Sequence, residues 1–182
     1  MDELAKLRQL RRLSLHSNSF NGYIPGGPAF FPNHTNLQVL NLAHNHLSVV
    51  IFSQVPVSLR VLDLSSNSFY GEIPTNFSVT HQLQLINLSF NDFSGAIPTT
   101  IGALQQLQYL RVDSNKLYDT IPSAEMMNLT ALFLGGNSFT GLILVSLEDL
   151  YQMELLDLSD NKLTGNLTTE FMRLTNLSNN RF

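Results

Sequence analysis

The chain has 182 residues, a formal net charge of −4 at pH 7 and no cysteine. This charge excludes the basic footprint of a nucleic-acid-binding protein, and the lack of thiols excludes disulfides, cysteine catalysis and thiolate metal sites. No stretch approaches the roughly 18 apolar residues of a membrane span, and the charged N-terminus, MDELAKLRQLRRL, lacks the apolar run of a signal peptide.

A pattern that ends in Asn recurs along the chain. In order, the copies read LRRLSLHSNSFNGYIP from Leu10, LQVLNLAHNHL from Leu37, LRVLDLSSNSFYGEIP from Leu59, LQLINLSFNDFSGAIP from Leu83, LQYLRVDSNKLYDTIP from Leu107, LTALFLGGNSFTGLI from Leu129 and MELLDLSDNKLTGNL from Met153. The aligned residues, here called the Asn column, are Asn18, Asn45, Asn67, Asn91, Asn115, Asn137 and Asn161. Successive members lie 22 to 27 residues apart, a period that predicts a solenoid of stacked coils.

Each copy predicts one short strand. The strands are centred on Leu13–Leu15, Leu40–Leu42, Leu62–Leu64, Ile86–Leu88, Leu110–Val112, Leu132–Leu134 and Leu156–Leu158. Because strand side chains alternate between faces, the two apolar residues point inward and the residue between them points outward. We therefore predict an α/β solenoid of about seven repeats. One parallel sheet forms its concave face, and helix-like segments such as TTIGALQQL return the chain on the far side.

Three further columns are predicted to serve the fold. The Asn column would pair loop backbone groups that are otherwise unsatisfied. An apolar column two residues later would form a buried, largely aromatic spine from Phe20, Leu47, Phe69, Phe93, Leu117, Phe139 and Leu163. A glycine column, with Asp119 in the glycine's place in the fifth copy, would allow backbone conformations that other residues resist.

The pattern L-x-x-L-x-L-x-x-N-x-F-x-G-x-I-P resembles the plant-type leucine-rich repeat of receptor-like kinases, receptor-like proteins and polygalacturonase-inhibiting proteins. The resemblance implies a right-handed solenoid with a second short strand near the Gly-x-Ile-Pro segment. It also implies binding of peptides, steroid hormones or proteins on the exposed face of the sheet.

The resemblance covers almost the whole chain, so we predict a single solenoid domain, 1–182, that begins and ends within a repeat. Family members usually carry cysteine-paired caps, and this chain has no cysteine. Uncapped ends would expose apolar side chains, which predicts end-to-end self-association.

The outward strand positions are predicted to carry the binding site, because they are not needed for the core. Around the fifth copy they bring together aromatic side chains and an arginine, a composition typical of binding hot spots. The candidate ligand-binding residues are Asn87, Phe90, Tyr109, Arg111, Asp113 and Phe133. Receptors of the resembled family that grip a peptide carboxylate often use Arg-x-Arg on one strand. Here the segment is Arg111-Val112-Asp113, which disfavours that subtype.

No catalytic constellation, cofactor motif or metal-ligand set is predicted. GGNSFTG, from Gly135 to Gly141, lacks the lysine of a phosphate loop, and His44 and His46 have no further ligand at suitable spacing. Of the Asn-x-Ser/Thr sequons, those at Asn33, Asn76 and Asn128 lie outside the predicted strands and are the expected glycosylation sites.

We therefore predict a non-enzymatic module that recognises a protein or peptide on the concave face. It would be part, or a short relative, of a receptor-like kinase or receptor-like protein ectodomain at the outer face of the plasma membrane. One alternative is a soluble inhibitor of a cell-wall-degrading enzyme, resembling polygalacturonase-inhibiting proteins. Another is an ice-binding repeat protein, which would need a flat rank of identical residues such as Thr.

Overall fold

The computed structural model describes residues 6–23, 34–51, 55–122, 126, 128–142, 150 and 152–166. In these ranges the chain forms a solenoid whose main sheet has seven parallel strands. The strands are β1 (Arg12–Ser14), β3 (Val39–Asn41), β5 (Val61–Asp63), β7 (Leu85–Asn87), β9 (Tyr109–Arg111), β11 (Ala131–Phe133) and β13 (Leu155–Asp157). They neighbour one another in this same order. The predicted sheet is confirmed, although each strand begins and ends one residue earlier than the predicted range.

A second set of strands, each of two to four residues, lies near the glycine column. They are β2 (Asn21–Gly22), β4 (His46–Leu47), β6 (Tyr70–Glu72), β8 (Asp92–Gly95), β10 (Lys116–Asp119) and β12 (Ser138–Phe139). The pair β2-β4 and the four strands β6-β8-β10-β12 are also parallel. These are the second strands that the family resemblance implies.

The return segments differ in detail from those of the predicted α/β solenoid, because the described ones contain 3-10 helices and not α-helices. Two 3-10 helices, Thr75–Val79 and Thr99–Ala103, follow the extended prolines Pro74 and Pro98. The described residues contain no α-helix. A 3-10 helix has three residues per turn, so it satisfies the apolar spacing of three seen in TTIGALQQL. The Thr100 hydroxyl donates to the Thr75 carbonyl at 2.7 Å, which joins the two returns.

The predicted spine is buried in the middle of the solenoid and open at its ends. Phe69, Phe93 and Phe139 are fully buried, and the rings of Phe69 and Phe93 stack with centroids 6.4 Å apart. Phe20 is 39% exposed, so the prediction that it is a core residue is wrong, whereas Leu163 is half-buried and packs against the core. Among the described strands, β1 and β13 are the first and last of the main sheet, so each is paired with a described strand on one side only.

The Asn column links successive coils. The Asn91 amide nitrogen donates to Leu64 O of the preceding coil at 3.0 Å and to Leu88 O and Ser89 O of its own coil. Its Oδ1 accepts the backbone N–H of Phe69 at 2.9 Å. The same pattern recurs at Asn45, Asn67, Asn115, Asn137 and Asn161. Each side chain therefore replaces backbone partners that the curved coil cannot supply by itself.

Candidate functional site

The outer face of the main sheet brings most of the predicted site residues into one row. Asn87, Arg111 and Phe133 are direct register partners on β7, β9 and β11. Tyr109 lies beside them, paired with Leu85 and Ala131, and its side chain is exposed. This grouping follows from the parallel register, because equivalent positions of successive coils must become neighbours.

Arg111 is held from two sides. Its guanidinium carbon lies 4.6 Å from the centroid of the Phe133 ring, within the range of a cation–π contact. Its Nε lies 3.3 Å from Oδ1 of Asp113, with which it forms an ion pair. Arg111, Asp113 and Phe133 are therefore one preorganised unit, here called the Arg111 cluster.

Asp113 departs from the prediction that it points freely outward, because the residue is only 8% exposed. It belongs to a column of residues just past the strand ends, where the chain turns inward. Ala43, Ser65, Ser89 and Gly135 occupy this column in other coils and are buried as well. We infer that Asp113 positions Arg111 and has little surface left for a ligand.

Asn87 also has a structural contact that the sequence analysis did not foresee. Its Oδ1 accepts hydrogen bonds from the Ser89 backbone N–H at 3.2 Å and from the Ser89 hydroxyl at 2.7 Å. Asp63 and Asp157 hold Ser65 and Ser159 in the same way. The outward residue at the end of these strands thus stabilises the turn that follows.

Phe90 has a left-handed backbone, with φ of 54°, and its side chain is 54% exposed. The residue before each Asn of the column shares this conformation, and the other positions hold Ser17, His44, Ser66, Ser114, Gly136 and Asp160. A bulky residue is uncommon in this conformation, and exposing its ring gains the core nothing. Phe90 therefore holds an exposed aromatic ring just past the end of its strand, in a position that contributes little to the core.

A shallow groove of about 250 Å³ lies on the concave face, beside the Arg111 cluster. Its floor is built from the small, buried residues Ala43, Ser65 and Ser89. Three predicted residues line it (Asn87, Phe90 and Arg111), and the sequence analysis missed His16, Asn41, His44, Asp63 and Ser66. The signal was present in the repeat alignment, since these residues occupy the same columns in earlier coils. At the fifth coil this column holds Asp113, which pairs with Arg111.

The predicted sequons lie in different surroundings. Asn128 is exposed in the segment before β11, whereas Asn76 is half-buried in the 3-10 helix Thr75–Val79. Asn33 lies outside the described residues. Across the described parts of the chain, no group of three or more His, Asp or Glu side chains is arranged to hold a metal ion. Within those same parts, none of the helices has the length and apolar character needed to cross a membrane.

Comparison with known proteins agrees with this architecture. Two family models, both described as leucine-rich repeats, match residues 57–117 and residues 9–31, 36–56, 128–150 and 152–174. A probable LRR receptor-like serine/threonine-protein kinase of Arabidopsis thaliana is 34% identical over 45% of the chain. Receptor-like protein 53 of the same plant is 37% identical over 43%. The chain spans only 11% and 8% of these two proteins.

Solved structures match more of the chain. The ectodomain of the Arabidopsis receptor kinase HAESA, in complex with an IDA peptide hormone, has a TM-score of 0.88 and 32% identity over 98% of this chain and 32% of its own. The GASSHO1/SCHENGEN3 ectodomain from Arabidopsis thaliana, in complex with CASPARIAN STRIP INTEGRITY FACTOR 2, has a TM-score of 0.87 and 31% identity over 100% and 22%. A plant ice-binding protein has a TM-score of 0.82 and 30% identity over 100% and 60%. The repeat signature, the stacked parallel coils and the matching family models together show that the chain belongs to the leucine-rich repeat family.

Proposed function

We propose that the chain is a non-enzymatic recognition module that binds an extended peptide or protein segment along its concave sheet. The main support is the row of Tyr109, Arg111 and Phe133 on the outer face of the sheet, which presents aromatic area and a guanidinium that Asp113 holds in place. The similarity to ectodomains solved with peptide ligands supports the same class of ligand. We also propose that the chain acts outside the cell, as part of an ectodomain like those of the matched receptors.

The dimensions of the sheet suit a short extended peptide. Seven strands leave six intervals of about 4.8 Å, or roughly 29 Å in all. An extended chain advances about 3.4 Å per residue, so about eight or nine residues could lie across it. Because Arg111 is already paired with Asp113, it is a poor clamp for a free C-terminal carboxylate.

The test compares two double variants of the whole chain for binding to a displayed library of nonapeptides. Tyr109→Ala with Phe133→Ala removes the aromatic area and leaves the Arg111–Asp113 pair intact. The control, Gln105→Ala with Gln106→Ala, changes two exposed residues of a return segment. We expect the first variant to lose the peptides selected on the parent chain and the control to keep them. The reverse result would show that the concave face is the wrong surface.

Two alternative functions can be tested by direct assay. An inhibitor of a cell-wall-degrading enzyme would use the same face, and would reduce the activity of an added polygalacturonase. The similarity to a plant ice-binding protein makes ice the other candidate. The outward row reads Ser14, Asn41, Asp63, Asn87, Arg111, Phe133 and Asp157, which lacks the repeated residue that a flat ice-binding surface needs. Measured thermal hysteresis would support ice binding and contradict the peptide proposal.

A further inference from the structure

Asp63 places a negative charge in the middle of the concave groove. Its register partners on the neighbouring strands are Asn41 and Asn87, and all three residues line the groove. Its Oδ1 is used by Ser65, whose backbone N–H and hydroxyl donate at 3.1 and 2.7 Å. Within the described residues, its Oδ2 accepts no hydrogen bond, and the ion pairs are formed by Asp113 and Asp92 and not by Asp63. Asp63 is thus a half-buried carboxylate without a counter-ion in that part of the chain.

The same groove supplies an aromatic side chain. Phe90 lines it with an exposed ring, in a backbone conformation that bulky residues seldom adopt. A carboxylate together with an aromatic ring is the pair of groups that already holds Arg111, through Asp113 and Phe133. Asp63 and Phe90 both line the groove, so the groove offers the same two kinds of group to an incoming basic side chain.

The flanking residues favour a peptide as the carrier of that basic group. Asn41 Oδ1 accepts the Ala43 backbone N–H at 3.0 Å, and Asn87 Oδ1 accepts from Ser89. The amide nitrogens of Asn41 and Asn87 stay available to donate to backbone carbonyls on either side of Asp63. Arg111 also lines the groove, but its guanidinium is already paired with Asp113.

We infer that the groove receives a lysine or arginine side chain of the bound peptide, with Asp63 as its counter-ion and Phe90 packing against its apolar stem. This inference rests on the proposed peptide-binding function and names the chemistry of the ligand. Long basic side chains suit such a site, because their methylene groups pack on an aromatic ring while the charged end reaches a carboxylate.

The experiment uses peptides selected from a displayed nonapeptide library on the whole chain, resynthesised with an acetylated N-terminus. The key variant is Asp63→Asn, which keeps the oxygen that Ser65 requires, as the natural Asn41 and Asn87 do for the residues after them. The matched control is Asp157→Asn. Asp157 holds Ser159 at 3.0 and 2.6 Å in the same arrangement but does not line the groove.

We expect the selected peptides to share a basic residue whose replacement by norleucine weakens Kd by about 10- to 100-fold. Asp63→Asn should weaken the parent peptide similarly and leave the norleucine peptide unchanged, because the two changes remove one interaction. Asp157→Asn should have no effect on either peptide.

Four results would overturn the inference. Selected peptides without a basic residue, or unchanged affinity in Asp63→Asn, would do so while leaving the proposed function intact. Binding that depends on a free peptide N-terminus and not on the basic side chain would show that Asp63 pairs with the terminal amine of the peptide. A library that yields no binder at all would overturn the inference and the proposed function together.

Discussion

Asn91 and Asn87 lie on the same coil, four residues apart, and serve different parts of the molecule. The Asn91 side chain spans two coils and satisfies backbone groups of both. The Asn87 side chain lies on the concave face, and among the described residues its hydrogen bonds go only to Ser89, in the turn of its own coil. The comparison shows that residue type alone does not define a role in this solenoid. Position in the repeat does, and interior columns are held constant while outer columns vary.

The largest effect is expected from the interior spine. Phe93→Ala should lower the free energy of unfolding by about 3–5 kcal/mol, because Phe93 is fully buried and stacks on Phe69. The matched change on the concave side, Phe90→Ala, should alter it by less than about 0.5 kcal/mol, since that ring is mostly exposed. Urea unfolding of both variants measures the difference. Comparable losses would show that the exposed ring supports the fold.

Asn91 and Asn87 provide a second test of the difference between interior and outer positions. Asn91→Ala should cost about 1–3 kcal/mol, because it leaves buried carbonyls and one N–H of the preceding coil without a partner. Asn87→Ala should cost only about 0.5–1 kcal/mol, from the weaker turn at Ser89.

Asn87→Asp is the control, and it should be nearly neutral because Asp63 and Asp157 make the same turn contact. Chemical unfolding of the three variants under one set of conditions gives the ranking. If Asn87→Ala destabilised as much as Asn91→Ala, the division between interior and outer asparagines would fail.

A substitution in the glycine column is expected to stabilise the protein. Asp119 stands in that column with φ of 81°, a region that disfavours residues with a Cβ. Asp119→Gly should raise the free energy of unfolding by about 0.5 kcal/mol, the gain being limited by loss of the contact to the Thr120 N–H.

Gly95→Ala is the reciprocal variant and should destabilise by about 1 kcal/mol or more. Its φ is 83°, and an added Cβ would lie 3.0 Å from Glu72 Cγ. The melting temperature should rise in Asp119→Gly and fall in Gly95→Ala. A loss of stability in Asp119→Gly would mean that the aspartate contact outweighs the backbone strain.

The last prediction concerns glycosylation, which is expected to change stability the least. After expression in a secretory host, we expect a glycan on Asn128, which is exposed in the segment before β11. The sequon at Asn87 should stay unmodified, because its oxygen is engaged by Ser89, which is 2% exposed. Peptide mass spectrometry after enzymatic release of glycans reports both sites. A glycan on Asn87 would cover the groove and contradict the proposed binding face.

The sequence by itself determined the repeating part of the protein. The Leu and Asn spacing was enough to predict seven parallel strands and the inward-facing columns, since each coil uses the same local pattern. It also placed Asn87, Arg111 and Phe133 in one row, because parallel register follows from the alignment of the copies.

Only the tertiary structure decided how individual outer residues are used. The burial of Asp113, the pairing of Arg111 with it and with Phe133, and the groove around Asp63 depend on contacts between residues of successive turns and coils. The left-handed backbone at Phe90 is set by the turn that directs Asn91 inward, although nothing in the Phe side chain favours it. A repeat pattern specifies which column a residue occupies. The curvature of the stack and the size of each neighbour decide whether that residue is covered, paired or left open to a ligand.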